Sequence, residues 1–212
     1  MLSSESIYER LYLTREASHR LFITPLLDIE EQLRPDRASI DLRLGNTFIN
    51  QHRSEMQVVN PMVQRETGEE RPYQEEIIVP FGESFILHPG QFTLAATLEY
   101  VGLPSDLGAY VLGRSSWGRV GLLVATAPGI HPNYRGVITM ELTNVGEVPV
   151  QLYPGDMIVQ VFFHEVSKGA PLPFLSEIGR YSGSTRPEIN LVRLSSGTRG
   201  ALIRMAGRRN PH

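Results

Sequence analysis

Val137-Ile138-Thr139-Met140-Glu141-Leu142-Thr143 alternates between apolar and polar residues with a period of two. That period puts Ile138, Met140 and Leu142 on one face of a β-strand and Val137, Thr139, Glu141 and Thr143 on the other. Working outward, Ile40-Asp41-Leu42-Arg43-Leu44 alternates in the same way, with Gly45-Asn46 behind it as a turn signal. Further apolar-rich runs at 76–80, 85–87, 92–97, 109–112, 120–125, 148–152 and 157–163 read as strands. Pro89-Gly90, Pro104-Ser105-Asp106, Pro128-Gly129, Gly146-Glu147 and Pro154-Gly155 punctuate them. Many short strands at a spacing of about ten residues indicate an all-β sandwich, jelly roll or barrel.

Residues 4–22 carry a helical pattern, with Ile7/Leu11 and Tyr8/Tyr12 at i, i+4 and Ser3 or Ser4 as N-cap. Asp28 followed by Ile29-Glu30-Glu31 reads as a capping-box-like start, and Pro35 ends that turn. Residues 60–76 are polar and contain Pro61, Gly68 and Pro72, which predicts a long loop or hairpin tip. The organisation expected is a single domain over 1–192 and a basic tail over 193–212, where five arginines occur without an acidic residue.

With 212 residues, 41% hydrophobic, 20% charged and a net charge of −3, the composition is that of an ordinary globular chain. The negative balance argues against a broad nucleic-acid binder. No run of about 18 apolar residues suggests a membrane span, and the polar N-terminal residues lack the apolar centre of a secretory signal. A cytoplasmic location is the expectation. The absence of cysteine removes thiol nucleophiles and the zinc chemistry of cysteine-ligated nucleobase deaminases. The six histidines show no zinc-site spacing, so no protein-bound metal is expected.

Several segments can carry chemistry. Glu141 shares its strand face with Thr139 and Thr143; a carboxylate there faces solvent, pairs with an arginine or serves as general acid/base. Gly113-Arg114-Ser115-Ser116-Trp117-Gly118-Arg119 is an ordinary turn, or a basic hydroxyl-rich turn that holds phosphate. In the loop 127–136, Tyr134 either stacks on a sugar or base or seals the core edge, and His131 can hydrogen-bond a ligand. Gln160 interrupts the apolar run 157–163 and needs a partner. Residues 179–185, with Arg180, Tyr181 and Ser184, read as a lid or as a surface loop.

Taken together, Ile23-Thr24-Pro25, Ala38–Gly45, Leu87-His88-Pro89-Gly90, Thr97-Leu98-Glu99, Gly113-Arg114-Ser115-Ser116 with Arg119, Gly136–Leu142 and Pro154–Ile158 resemble the dCTP deaminases of the dUTPase-like superfamily, over about residues 22–181. The resemblance implies a jelly-roll-like distorted barrel with a short N-terminal helix. It also implies a homotrimer with active sites between subunits, acting on a deoxycytidine nucleotide whose triphosphate carries Mg²⁺, and using no zinc. Glu141 matches the glutamate that activates water for attack on cytosine C4. Ser115 and Arg119 match the residues that position the water and stabilise the transition state. Arg114, Ser116 and Gln160 match phosphate-contacting positions, and Thr139 and Met140 match the base-recognising strand.

Four positions depart from the family pattern. His131 stands where an aspartate holds the sugar 3′-hydroxyl, in a loop one residue shorter than usual. Phe174 replaces a common tyrosine, Arg180 a lysine and Ser184 a glutamine, all at ligand-binding positions. A hydrogen bond is worth about 0.5–1.5 kcal/mol net, so losses at these sites bear on affinity. The function expected is deamination of dCTP to dUTP and ammonia. The alternatives are a dUMP-forming bifunctional enzyme, a dUTPase-like pyrophosphatase, a non-catalytic nucleotide-binding trimer, or the same chemistry on another nucleotide.

Overall fold

The computed structural model describes residues 1–16, 18–52, 55, 58, 73–167 and 183–187. One compact unit comprises Met1–Gln51 and Gln74–Glu188. A second comprises His52–Tyr73 and Ile189–His212, and of it only His52, Glu55, Val58 and Tyr73 are described. The expected tail over 193–212 lies outside the described residues, as do Phe174 and Arg180.

The first unit is all-β with a short N-terminal helix. Its strands are β1 (Phe22–Thr24), β2 (Ile40–Gln51), β3 (Gln74–Ile78), β4 (Phe85–Leu87), β5 (Phe92–Gly102), β6 (Leu107–Gly113), β7 (Leu122–Val124), β8 (Gly129–Ile130), β9 (Arg135–Asn144), β10 (Val150–Leu152) and β11 (Met157–Glu165). They form one nine-stranded sheet, ordered β7-β9-β5-β2-β11-β6-β8 with β1 on β5 and β3 on β2, and a two-stranded sheet β10-β4. The N-terminal half of β2 pairs with β11 and its C-terminal half with β3 and β5. One long strand thus passes between two layers, and β4–β10 closes part of the gap. That is the jelly-roll-like arrangement the family resemblance implied, one of the three all-β forms the strand pattern left open.

Side chains from the inner faces make the core. Leu42, Leu44, Phe48, Met140, Leu142 and Phe163 are fully buried, each worth about 1.5–3 kcal/mol relative to exposure. Phe48 stacks on Phe85 with ring centroids 4.5 Å apart, joining the two sheets. Among the described residues no helix is long and apolar enough to cross a membrane.

Three local expectations are corrected. The helix read over 4–22 stops early: α1 (Ser4–Tyr8) continues as a π-helical turn (Glu9–Leu13). There the Thr14 N–H and hydroxyl both bond the Glu9 carbonyl, so the chain turns away and enters β1. Ser3 is the N-cap, accepting from the Ser6 N–H. α2 (Ile29–Gln32) is capped by Asp28, but the return bond of the box comes from Gln32 Oε1, which accepts the Asp28 N–H, and not from Glu31.

Gly45-Asn46 is no turn; β2 runs through it. The register between β2 and β5 shifts between Leu44 and Phe48, and the register between β5 and β9 shifts between Ala96 and Tyr100. These two breaks face each other. A Cβ on Gly45 would sit 2.9 Å from the Ala96 carbonyl oxygen and 3.3 Å from that of Thr97. Gly45 therefore serves close backbone approach at a bulge. Gly45→Ala is expected to destabilise the chain by about 1–3 kcal/mol by overpacking against backbone. It should lower the urea midpoint at constant m-value; an unchanged midpoint would mean that the bulge relaxes freely.

Candidate active site

The turn 113–119 is built against the start of β11. The Arg114 N–H donates to the Ile158 carbonyl at 3.0 Å, and Arg114 Nη1 donates to the Met157 carbonyl at 3.3 Å. Trp117 Nε1 donates to the same carbonyl at 2.9 Å. Held this way, residues Ser115–Gly118 wind one short helical turn, α3, that leaves Ser115, Ser116 and Arg119 exposed. Arg114 and Ser116 open onto a cavity of about 600 Å³, shared with Glu31, Arg34, Asp41, Arg43 and Asp156 among others.

Asp41 is 2% exposed. Its Oδ2 accepts from Arg37 Nη1 at 3.0 Å and lies 3.7 Å from Arg114 Nε. Its Oδ1 is buried with no hydrogen-bond partner among the described residues. Burial pushes this carboxyl above its ordinary 3.8, against the pull of Arg114, Arg37 and Arg34. Arg43, on the same strand, is also buried and reaches the same cavity. In sequence Asp41 and Arg43 occupy the polar phase of an alternating strand, which signals a solvent face. Instead Arg37 and Arg114 lie against Asp41, Glu99 lies against Arg43, and Gln32 of α2 bonds the Asp41 carbonyl. The available signal was the density of charge in Arg34-Pro35-Asp36-Arg37 just before that strand.

Glu141 lies on β9 between β5 and β7, half-buried, with Thr139 and Thr143 on the same face. Its N–H donates to Thr126 Oγ1 at 2.9 Å and its carbonyl accepts from the Ala125 N–H at 2.8 Å. These bonds fix the backbone. The carboxylate itself makes no hydrogen bond or ion pair among the described residues. Glu141 does not line the arginine cavity. The structure thus groups the sequence candidates in two places: Arg114 and Ser116 at the cavity, and Glu141 and Thr139 on the β9 face.

The remaining candidates are distributed as follows. Met140 is fully buried on the core face, so its side chain has no route to a ligand; the alternation that presents Thr139 and Glu141 buries it. Tyr134 packs against the core and donates its hydroxyl to the Val137 carbonyl at 2.6 Å, as a residue sealing the core edge would. His131 is exposed. Gln160 is half-buried between Asp41 and Leu112 of the neighbouring strands. Its amide has no side-chain hydrogen bond among the described residues. Ser184 accepts the Val137 N–H at 2.9 Å through its carbonyl, next to the start of β9.

Comparison with known proteins adds the family. Residues 6–166 match the family described as dCTP deaminase-like. A protein of Natronomonas pharaonis named dCTP deaminase is 44% identical over 174 residues, 81% of this chain and 87% of that one. A protein of Halobacterium salinarum named dCTP deaminase, dUMP-forming, is 40% identical over 195 residues, 91% of this chain and 95% of that one. The crystal structure of 2′-deoxycytidine 5′-triphosphate deaminase from Agrobacterium tumefaciens superposes with a TM-score of 0.57 at 21% identity. It covers 78% of this chain and 46% of that longer chain. This last likeness bears on the fold, and it agrees with the jelly-roll-like topology.

Because the folded chain holds a proton on Asp41 more tightly than the unfolded chain does, this group costs stability as pH rises. The cost sets in from its ordinary value of 3.8 and is complete above the raised folded value. Asp41→Asn removes that slope. Urea unfolding of both proteins across this acidic window should show their stability difference changing in the variant's favour as pH rises. A difference independent of pH would show that the arginines cancel the effect of burial, and one moving in the wild type's favour that they outweigh it.

Proposed function

This chain belongs to the dCTP deaminase family, and from that premise we propose that it catalyses the hydrolytic deamination of dCTP to dUTP and ammonia. The observation that carries the reading is the half-buried Glu141 carboxylate. The Glu141 backbone is held by bonds to Thr126 and Ala125, its carboxylate has no partner among the described residues, and the resemblance matches it to the family's general acid/base. A carboxylate spent on a structural ion pair would not be free to move protons.

In this mechanism Glu141 takes a proton from water as its oxygen adds to cytosine C4. It passes that proton to N3, then moves the proton of the new C4 hydroxyl to the amino group, and ammonia departs as the C4 carbonyl forms. Ser115 and Arg119 position the water and stabilise the polar transition state. Arg114 and Ser116 bind phosphate from the cavity edge, with the Gln160 amide, which has no side-chain bond among the described residues, as a further donor. Thr139 faces the base and His131 the sugar. Mg²⁺ supplies charge neutralisation on the triphosphate. Arg34, Arg43 and Arg114 of the cavity fit phosphate oxygens, and the metal would be carried in on the nucleotide.

The active unit in this reading is a homotrimer. Its support within one chain is the separation of Glu141 from the arginine cavity, which leaves each half of the site incomplete. Tyr110, Leu112, Val120 and Leu123, before and after α3, are each about half exposed and offer an apolar surface for a second copy to cover.

Incubation with dCTP and Mg²⁺, followed by ion-exchange separation, should yield dUTP. Recovery of dUMP instead would give the bifunctional reaction named for the Halobacterium salinarum relative. Hydrolysis of dUTP with no action on dCTP would overturn the deaminase. Glu141→Gln should lower the rate of ammonia release by about 10²–10⁴-fold while shifting stability by no more than about 0.5 kcal/mol. Wild-type turnover by that variant would remove Glu141 from the mechanism.

A further inference from the structure

Glu99 is fully buried, 0% exposed, a position that an ionisable side chain rarely takes without a purpose. The bulge in β5 places it there. Thr97 Oγ1 accepts the Ile138 N–H of β9 at 2.9 Å and donates to the Glu99 carbonyl at 2.8 Å, replacing a ladder bond with a side chain. The Glu99 carboxylate then reaches across to β2 and α2. Oε2 accepts the Arg43 N–H at 2.8 Å. Oε1 accepts Gln32 Nε2 at 2.9 Å and lies 3.5 Å from Arg43 Nη1. Gln32 also donates to the Asp41 carbonyl at 3.1 Å.

The contacts point one way. Arg43 is the only cation paired with Glu99 among the described residues, and Arg43 also lines the arginine cavity. Gln32 ties the end of α2 to β2, and Arg34, two residues on, lines the same cavity. Asp41, whose carbonyl Gln32 holds, faces Arg114 from the other side. A buried ion pair is a poor source of net stability, because desolvation offsets its attraction. It is an effective way to fix a guanidinium in one direction.

We infer that Glu99 is a positioning residue for polyphosphate binding, holding Arg43 directly and Arg34 through Gln32 so that both face the cavity at Arg114. This inference rests on the nucleotide-binding reading of that cavity but not on deamination itself. Arg43 and Arg34 are then phosphate ligands beyond those that the sequence motifs indicate, and the chemical class they take is an inorganic or nucleoside polyphosphate. Glu99 touches no ligand; it acts through Arg43.

The test uses the full chain and inorganic tripolyphosphate, titrated calorimetrically, beside steady-state kinetics with dCTP. Glu99→Gln is isosteric but offers an N–H₂ where Arg43 already donates. It is expected to weaken tripolyphosphate binding and raise KM for dCTP by about tenfold or more, with kcat within about twofold. Arg43→Gln should weaken both at least as much, and the double variant should fall well short of the sum of the two single losses, because Glu99 acts in large part through Arg43. A general structural defect would instead lower kcat and stability and leave the two effects additive, and that result would overturn the proposal.

If Glu99→Gln does not fold, Arg43→Gln carries the test, since the carboxylate keeps Gln32 and the residue-43 N–H. Unchanged tripolyphosphate affinity in that variant overturns the inference, and a tenfold loss supports it. A wild-type protein that binds tripolyphosphate but releases no ammonia from dCTP would sink the deaminase reading and leave this one standing. Failure of the wild type to bind tripolyphosphate would sink this one alone.

Discussion

The fold turns on a register break shared by three strands. Where β5 passes Thr97-Leu98-Glu99, it loses its ladder to β9 on one side, and β2 loses its ladder to β5 on the other. Thr97 repairs the first gap with its hydroxyl, and Gly45 permits the second by having no side chain. A bulge increases local twist and re-aims side chains. Here it lets β2 leave β5 and β3 and run beside β11, which curls the sheet. It also turns Glu99 inward. The same irregularity therefore shapes the core and delivers a charge behind the cavity, against Arg43.

Buried carboxylates in this molecule fall into two kinds. Asp41 and Glu99 are pushed above their ordinary values, burial being the largest cause and outweighing the arginines beside them. Both make the folded state less favourable as pH rises through the acidic range. Asp106 is the opposite case. Burial opposes its charge, but hydrogen bonds from His19 and Arg10, at 2.8 and 2.9 Å, bring it below 3.8. Its contribution is present above the ordinary value and lost as pH falls through the lowered one. Asp106 anchors the segment behind the π-helical turn to the start of β6. It supports the structure, whereas Asp41 and Glu99 cost it something.

The sequence was read best where one residue decides one contact. The alternation around Glu141 placed Ile138, Met140 and Leu142 in the core, and the structure has them there. The strand order was not legible, because pairing partners such as β2 and β11 lie more than a hundred residues apart. Gly45-Asn46 misled because glycine serves turns and close approaches equally; only the position of the Ala96 carbonyl distinguishes them. Met140 was assigned to a ligand by resemblance, although its place in the alternation already pointed it inward. Of the site, Arg114, Ser116 and Glu141 were legible from motifs. Arg34, Asp41 and Arg43 were not, since polar residues in a half-apolar strand look solvated until a second layer is laid over them.

The two costly carboxylates make sense as a form of preorganisation. An arginine carries about 2 kcal/mol of rotamer entropy, and one that orders only when ligand arrives loses that freedom from the binding energy. In the proposed reading, Arg43 against Glu99 and Arg114 near Asp41 have already given up that freedom during folding. The unfavourable desolvation of the acids is then borne by the whole core, where Leu42, Leu44 and Phe48 of the same strand are fully buried. Glu141 follows the other half of that logic. In the same proposed reading, its backbone is held on both sides while its carboxylate, without a partner among the described residues, is left to exchange protons. A group that must change protonation in each turnover cannot be tied down as tightly as one that only aims a neighbour.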